Sequence, residues 1–148
     1  MPANDKEAHV PIWFTLKIAG AEAAGFWKEA TGFESENEVT ETKRTKPNGR
    51  TDVIKALGAT KWGDIELKRG VDQDKTLWNW RKMVIDGNLK EARKDCTITL
   101  LDFQGEPVVT YSIINAWPKK YTGVGLTADA NQVAVESITL AHEGFEVR

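Results

Sequence analysis

The stretch Gly63–Gly87, GDIELKRGVDQDKTLWNWRKMVIDG, contains a strand pattern followed directly by a helix pattern, and the rest of the chain is arranged around this pair. In its first part apolar and charged residues alternate, in the order Ile65, Glu66, Leu67 and Lys68. This two-residue period predicts a strand with one buried face. Gly70 then allows the backbone to turn, and Asp72 or Asp74 is placed to cap the first amides of a helix.

The helix predicted after this turn carries more apolar surface than one sheet would cover. Leu77, Trp80 and Val84 recur at helical spacing. At about 100° per residue, the apolar arc from Met83 to Trp78 spans roughly 220°. A helix that covers one sheet needs about half of that arc. We therefore expect this helix, the only long one in the sequence, to be covered by its own sheet and by a second surface, for which another subunit is a candidate.

Composition limits the class of protein. A chain of 148 residues forms one domain, residues 1–148, and buries a core of its own without a disulfide or a structural metal. The single cysteine, Cys96, excludes an internal disulfide framework. Residues 1–9, MPANDKEAH, lack a signal pattern and predict a flexible arm on a protein made in the cytoplasm. A net charge of −2 gives no overall attraction to nucleic acid or to anionic membranes.

Residues 34–57 predict a hairpin that neither face can bury. In an extended chain three acidic residues share one face and mostly polar residues occupy the other: Glu34, Glu36 and Glu38, against Ser35, Asn37, Val39 and Glu41. Basic residues then surround a Pro47-Asn48-Gly49 turn: Lys43, Arg44, Lys46 and Arg50. Asn-Gly between two extended runs is a strong hairpin signal. The prediction is a projecting hairpin with an acidic stem and a basic tip.

Three interpretations of this hairpin are open. A solvated, charged edge would protect the sheet from aggregation. Alternatively, the tip of one copy meets the stem of another, and such a head-to-tail contact builds stacks or filaments because it does not close on itself. Nucleic-acid binding is poorly supported, because acidic residues flank the basic tip and no aromatic residue is near it to stack on bases.

The remaining segments predict further antiparallel strands. Alternation from Ile12 to Ile18 predicts the first strand, and the segment Ala21–Ala30 a short helix or an irregular excursion in which Phe26 and Trp27 anchor the packing. Residues 89–95 read as a charged connector. A second hairpin is expected over residues 96–103 and 108–117, ended by the sequence Trp117-Pro118-Lys119-Lys120.

The last extended segment, residues 132–143, changes its apolar phase between Val135 and Ile138. This change predicts either a bulge near Glu136 and Ser137 or a strand that is apolar on both sides because a neighbour covers it. About six or seven strands and one main helix result. The predicted fold class is mainly β with one main α-helix, a small antiparallel barrel or sandwich, because no strand and helix alternation recurs.

Catalytic patterns are weak throughout. The histidines, His9 and His142, have no second ligand at metal spacing, and Cys96 is expected to be a buried structural thiol. Gly123-Val124-Gly125 lacks the context of a nucleotide loop. The three stem glutamates lack the apolar surroundings that a general acid needs. We therefore predict a structural or interaction protein, with no catalytic residue, cofactor or metal, rather than an enzyme.

Several short segments, taken in order, resemble one family. They are Val10–Phe14 (VPIWF), Ile65–Gly70 (IELKRG), Leu77–Trp80 (LWNW), Ile98–Asp102 (ITLLD), Ala116–Lys119 (AWPK) and Leu140–Gly144 (LAHEG). Together they resemble the tube proteins of contractile phage tails and contractile injection systems, which are related to the haemolysin-coregulated protein. The resemblance runs from about Val10 to Phe145. The sequence departs from the family near Leu57 and in its compact turn of residues 47–50.

The resemblance implies a rolled β fold of the tail-tube type and a structural role. Six copies would form a ring, and rings would stack into a rigid hollow inner tube that sheath contraction drives through a target envelope. Implied partners are the chain itself, a sheath, a baseplate or spike hub, tube-terminating proteins, a cargo of DNA or effector proteins, and the target membrane during injection. Assembly is expected in the bacterial cytoplasm, followed by a place in a phage virion tail or an injection particle.

Two sets of interface residues follow as hypotheses. Ring stacking is assigned to Glu34, Glu36, Glu38, Arg44, Lys46 and Arg50, and contact within a ring to Trp78, Arg81, Ile85, Ile138 and Leu140. A barrel-shaped carrier of a small ligand, which needs an apolar pocket, is the first alternative. A secreted ring-forming tube or effector carrier related to type VI secretion is the second.

Overall fold

A computed structural model describes residues 13–23, 27–70, 74–124 and 134–148. These residues form strands and two helices in the order β1 (Trp13–Ile18), β2 (Ala21–Ala23), β3 (Trp27–Thr31), β4 (Ser35–Thr45), β5 (Thr51–Trp62), β6 (Ile65–Gly70), α1 (Thr76–Ile85), α2 (Leu89–Ala92), β7 (Lys94–Leu101), β8 (Pro107–Thr122), β9 (Val135–Ala141) and β10 (Gly144–Val147). The fold is mainly β with one main helix, which confirms the predicted class.

One antiparallel sheet forms the body of the protein. Its strands follow the order β2-β1-β7-β8-β9-β6-β3, and β10 pairs with β8 beside this path. The two ends of the sheet come together, because β1 contacts β3 and the ring of Phe14 lies 5.9 Å from the ring of Trp27. The sheet is therefore rolled around a single core.

Strand β8 joins the two halves of the rolled sheet. Its first part pairs with β7 and β10, and its last part, from Trp117, pairs with β9 on both sides of a register shift between Pro118 and Lys120. The prediction that residues 117–120 end this strand is wrong. Pro118 is tolerated because the bulge removes one position from the regular hydrogen-bond ladder.

The core is built mainly from alternate residues of β1, β6, β7 and β9. Its fully buried apolar side chains include Leu16, Ile65, Leu67, Ile98, Ile113, Ile138 and Leu140. Helix α1 covers it with Leu77 and Trp80, and the Trp80 indole Nε1 donates a 2.6 Å hydrogen bond to the Ala92 carbonyl of α2. The first strand and the strand and helix of residues 63–87 thus bury the faces that their periodicity predicts.

Other predictions for local structure need correction. Within residues 21–30 the described residues form strands β2 and β3, where a helix or an irregular excursion is predicted. Trp27 is buried, as expected for an anchor, whereas Phe26 lies outside the described residues. The connector of residues 89–95 contains the short helix α2, which shields Trp80.

Strand β9 runs without a bulge. Its register with β6 is continuous from Leu140 opposite Ile65 to Val135 opposite Gly70. Glu136, Ile138 and Leu140 all point inward. The apolar phase changes because a charged residue, Glu136, occupies an inward position, so the predictions of a bulge and of a strand apolar on both sides are wrong.

Strands β4 and β5 form a separate two-stranded sheet, here called the charged hairpin. It extends to Trp62 rather than ending at Leu57, and every residue of β4 is exposed. A register shift between Asn37 and Val39 places Gly58 against the Glu38 backbone, where an added Cβ would lie 2.6 Å from the Glu38 carbonyl oxygen. Glycine is required at this bulge because no other residue fits so close an approach.

Candidate assembly surfaces

The acidic stem lies at the base of the charged hairpin. Glu34 is in the connection before β4, while Glu36 and Glu38 are within the strand. Lys61 of β5 forms a 2.5 Å ion pair with Glu38. Among the described residues Glu34 and Glu36 have no ion-pair partner. The stem therefore presents two acidic side chains to solvent.

The basic tip is a tight turn held by local bonds. Lys46 forms a 2.8 Å ion pair with Asp52, and the Asn48 side chain accepts a hydrogen bond from the Arg50 amide. Gly49 adopts a φ of 85°, as the Asn-Gly turn signal predicts. In the described part of the chain Arg44 and Arg50 have no carboxylate partner, so two guanidinium groups project at the tip.

Stem and tip lie at opposite ends of the hairpin. Ten residues separate Glu36 from Lys46, which at about 3.3 Å per residue is roughly 33 Å along the strand. Ion pairs form only over a few ångströms, so the two charge clusters of one copy do not reach each other. Their complementarity is available only between copies.

An open groove of about 460 Å³ lies beside the stem. Its lining consists of Glu34, Ser35, Glu36, Lys61, Trp62 and Gly63. The groove is open to solvent, and its lining combines charged side chains with the Trp62 ring. The groove therefore differs from the enclosed apolar pocket that a carrier of small ligands uses.

Helix α1 presents the predicted excess apolar surface. Trp78 and Ile85 remain 41% and 57% exposed, while Leu77 and Trp80 are buried. The Trp78 ring packs edge-on against Tyr121 at 5.3 Å between centroids. Arg81, on the same side, donates a hydrogen bond to the Pro118 carbonyl. Three residues of the predicted intra-ring set thus share one accessible surface.

Two residues of the predicted intra-ring set do not lie on this surface. Ile138 and Leu140 are 1% and 0% exposed, because both point into the core of their own subunit. A side chain without accessible surface cannot contact a neighbouring subunit. The assignment of these two residues to an interface is therefore wrong.

Sequence reasoning missed a buried ionic network centred on Arg69, which is 0% exposed. Arg69 Nε donates to Glu136 Oε1 at 2.5 Å, and Arg69 Nη1 donates to Asp74 Oδ2 at 3.1 Å. The hydroxyl of Tyr121 donates to the other Glu136 oxygen at 2.5 Å. The guanidinium also lies over the Trp27 ring, 5.6 Å from its centroid. The network joins β3, β6, β8 and β9 to the start of α1.

The network shifts the pKa values of its members. Burial lowers the pKa of Arg69, but hydrogen bonds to Glu136 and Asp74 outweigh it and raise the pKa overall. A hydrogen bond from the Thr76 side chain, together with the Arg69 contact, holds the pKa of Asp74 below its usual value. Asp74 also accepts a bond from the Thr76 amide at the start of α1, as predicted for this aspartate, although Lys75 occupies the N-cap position. Burial and the bond to Glu136 raise the pKa of Tyr121 to about 12.

Periodicity contains the signal for this network. Arg69 follows Ile65 and Leu67 at a two-residue spacing, so the strand pattern points it inward. Glu136 is likewise in phase with Ile138 and Leu140. Two opposite charges on the inward faces of two strands indicate a buried pair, because an unpaired buried charge is too costly.

The residues with potential chemistry have structural partners. His142 Nε2 lies 2.7 Å from the Gly63 carbonyl oxygen, and its Nδ1 accepts a hydrogen bond from the Gly144 amide. Cys96 is buried, as predicted, and burial raises its pKa to about 12. Within the described ranges no group of three or more metal-ligating side chains occurs. No described helix has both the length and the apolar character needed to span a membrane.

Family comparison decides what these surfaces belong to. The sequence model of the T4-like virus tail tube protein gp19 family matches residues 10–146, nearly the whole chain. The chain belongs to this tail tube family. Its members are structural tube proteins, so the predicted family resemblance is confirmed and the chain is a tube subunit.

Solved structures show the same tail-tube fold. A chain of the sheath-tube complex of an extracellular contractile injection system, PVC, has a TM-score of 0.80 at 22% identity, over 97% of this chain and 93% of that one. A chain of the anti-feeding prophage cap has a TM-score of 0.74 at 23% identity, over 99% and 96%. Hcp1 from Flavobacterium johnsoniae has a TM-score of 0.59 at 14% identity, over 92% and 94%. A search of curated protein sequences found no match.

Proposed function

We propose that six copies of this tail tube protein form a ring and that rings stack into the rigid hollow inner tube of a contractile tail or injection system. The single observation that carries the proposal is the charged hairpin, a two-stranded sheet without a core that separates opposite charges by its full length. An isolated hairpin of this kind is only marginally stable in water. Contact with a second copy would supply the missing cover.

Contact within a ring is assigned to the exposed face of α1 and to the sheet edges. Trp78, Arg81 and Ile85 provide a surface with a polar group beside two apolar ones. Strands β2 and β3 end the sheet path, and among the described residues no strand pairs with their outer sides, which leaves edges for a neighbouring subunit. Two structural neighbours come from six-fold assemblies, an anti-feeding prophage baseplate and a gene transfer agent tail, which supports six copies per ring.

Stacking between rings is assigned to the stem and tip. Arg44 and Arg50 of one copy would face Glu34 and Glu36 of a copy in the next ring. Lys46 and Glu38 contribute less, because each already has an ion-pair partner in its own hairpin. A contact of this kind repeats without closing and therefore extends into a tube.

Charge reversal at the tip tests the stacking contact. The double variant Arg44→Glu with Arg50→Glu should fold normally, since both residues are exposed and neither has an ion-pair partner among the described residues, but it should not extend beyond single rings. Negative-stain electron microscopy measures tube length, and circular dichroism checks the fold. Lys90→Glu with Arg93→Glu is the matched control, with the same change in net charge on the exposed surface at α2. Tubes of native length from the tip variant would refute the assignment.

The partners follow from this assembly. Neighbouring structures include a sheath-tube complex, a tube terminator and a baseplate, and we assign the equivalent partners to this chain. The lumen would conduct DNA or effector proteins without sequence-specific recognition, and the tube would meet a target membrane only during injection. The role needs no catalysis and no cofactor. Subunits would assemble in the bacterial cytoplasm before the particle is completed or released.

One alternative function keeps a specific observation in its favour. The fold likeness to Hcp1 fits a ring-forming tube protein or effector carrier related to type VI secretion. Purified protein imaged at high concentration separates the two: stacked tubes support the tail-tube role, and single rings alone support the carrier role. The observed groove gives no such support to a carrier of small ligands.

A further inference from the structure

The direction of the charged hairpin is set at its base, because its strands bury no core. Backbone bonds there connect the two strands to the body: the Gly63 amide donates to the Glu34 carbonyl, and the Glu34 amide donates to the Gly32 carbonyl. Gly32 has a φ of 95°, and an added Cβ would overlap the Asp64 carbonyl oxygen. These bonds hold the two strands together where they leave the body, and they involve only residues 32, 34 and 63.

A second layer of contacts lies beside this crossing point. His142 Nε2 is 2.7 Å from the Gly63 carbonyl oxygen, and His142 Nδ1 accepts a 3.1 Å bond from the Gly144 amide. The imidazole is therefore in one tautomer, with its proton on Nε2, and connects the end of β5 to the start of β10. Its two bonds aim the ring in one direction.

Trp62 completes this layer. Its ring packs edge-on against Phe145 at 5.0 Å and lies over Gly144, where an added Cβ would be 3.1 Å from the indole. Phe145 in turn contacts Phe33 and Tyr111, which belong to the body. The Trp62 ring, packed on Gly144, thus connects the end of β5 to the aromatic cluster of the body.

We infer that His142, Gly144 and Trp62 form a latch that fixes the angle of the charged hairpin to the body, so that the hairpin is already aimed in the free subunit. Only the purpose of this latch rests on the proposed stacking function. A hairpin of roughly 11 residues per strand is about 36 Å long, so a small pivot at the base moves the tip by many ångströms. Aiming the hairpin in advance removes an ordering cost from each stacking step.

Spin labels measure the hairpin angle directly. Lys43→Cys on β4 places one label on the charged hairpin, and Lys82→Cys on α1 places the other on the rolled body. Both positions are exposed. Cys96 stays unlabelled, because it is buried and its pKa is raised to about 12. Double electron-electron resonance on dilute, unassembled protein then reports the distribution of hairpin angles. We expect one narrow distance in the native chain.

Two substitutions that differ in whether the hydrogen bond to the Gly63 carbonyl is kept test the role of His142. His142→Gln keeps a donor that reaches the Gly63 carbonyl, whereas His142→Asn is too short to reach it. The asparagine variant should give a distribution about twofold wider, as expected for a locally released segment, and the glutamine variant should stay narrow. The thermal midpoint of the body should be the same in both. Equal widths in the two variants would refute the latch.

A second variant covers the case in which His142→Asn does not fold. Trp62→Ala removes the ring from Gly144 and Phe145 at a partly exposed position and should broaden the distribution by itself. A narrow distribution in this variant would also refute the latch. The distance measurement uses free subunits, so it tests the latch independently of tube assembly. A chain with a narrow distance distribution that builds no tubes would contradict the stacking function. Tubes of native length from a variant with a broad distribution would contradict the purpose of the latch.

Discussion

The rolled body and the charged hairpin treat their charges in opposite ways. In the body, Arg69 and Glu136 are enclosed and satisfy each other, with Tyr121 and Asp74 completing the network. In the hairpin, charges of opposite sign stand at its two ends, and Arg44 and Glu36 have no ion-pair partner among the described residues. The buried charges of the body therefore stabilise its own fold. In the proposed stacking, the unpaired charges of the hairpin are the ones available to another copy.

Removing Arg69 should have the largest effect on stability. Arg69→Ala leaves Glu136 buried without its cation, and loss of one partner of a buried pair costs about 3–5 kcal/mol. Urea unfolding followed by tryptophan fluorescence measures this loss. The neighbouring Lys68→Ala is the control, because its contacts with Glu29 and Glu66 are exposed and an exposed pair contributes about 0.2–1 kcal/mol. Similar losses of unfolding free energy in the two variants would contradict the distinction between buried and exposed charges.

Alkaline pH should weaken the body through Tyr121. Its pKa is raised to about 12 from an ordinary value of about 10, so the folded state favours the neutral phenol. This contribution is fully present below pH 10 and is lost as pH rises toward 12. Tyr121→Phe should therefore show a flatter decline of stability across that window, measured by denaturation at several pH values.

The buried thiol supplies the internal reference for this measurement. Cys96 also has a pKa raised to about 12, so part of the alkaline decline begins above pH 9 in both proteins. Only the share that disappears in Tyr121→Phe belongs to the bond with Glu136. An unchanged pH profile in the variant would show that this bond does not couple protonation to folding.

The smallest effect on stability is expected in the hairpin. Leu57 is 83% exposed opposite Val39, so Leu57→Ser should change the free energy of unfolding by less than about 0.5 kcal/mol. It should nevertheless slow tube growth, since it removes apolar area from the charged hairpin, whose cover we assign to a second copy. Light scattering measures growth. Phe103→Ser is the matched control, at 80% exposure on the other hairpin, and growth slowed equally by both would contradict this surface assignment.

The elements found from sequence are those whose pattern is local. The alternation of Ile65 and Leu67, the helical spacing of Leu77 and Trp80, and the Asn48-Gly49 turn each depend on a few neighbouring residues. The segments from Val10 to Phe145 were sufficient for the family as well. Periodicity also identified Trp78 and Ile85 as excess apolar surface on the helix, which is where the structure leaves them exposed.

What sequence reasoning missed depends on distant partners. Glu136 interrupts the apolar alternation of its strand. Its partner, Arg69, is 67 residues away, so the local sequence does not show why a charge is placed there. Pro118 read as a strand end because nothing local shows that β9 pairs on both sides of a bulge there. The assignment of Ile138 and Leu140 to an interface depends on the same change of phase, which suggests a strand that is apolar on both sides and covered by a neighbour. One buried ion pair therefore accounts for several of these errors.

The place of β9 in the sheet has a consequence for synthesis of the chain. This strand lies between β6 and β8, near the middle of the sheet, yet residues 135–141 are translated after almost every other strand. Until they leave the ribosome, the edges of β6 and β8 that pair with β9 lack a neighbour, and Arg69 lacks its contact with Glu136. Folding of the body must therefore follow translation of β9. A nascent chain therefore exposes two strand edges that lack a partner until β9 emerges, and such edges are prone to aggregation.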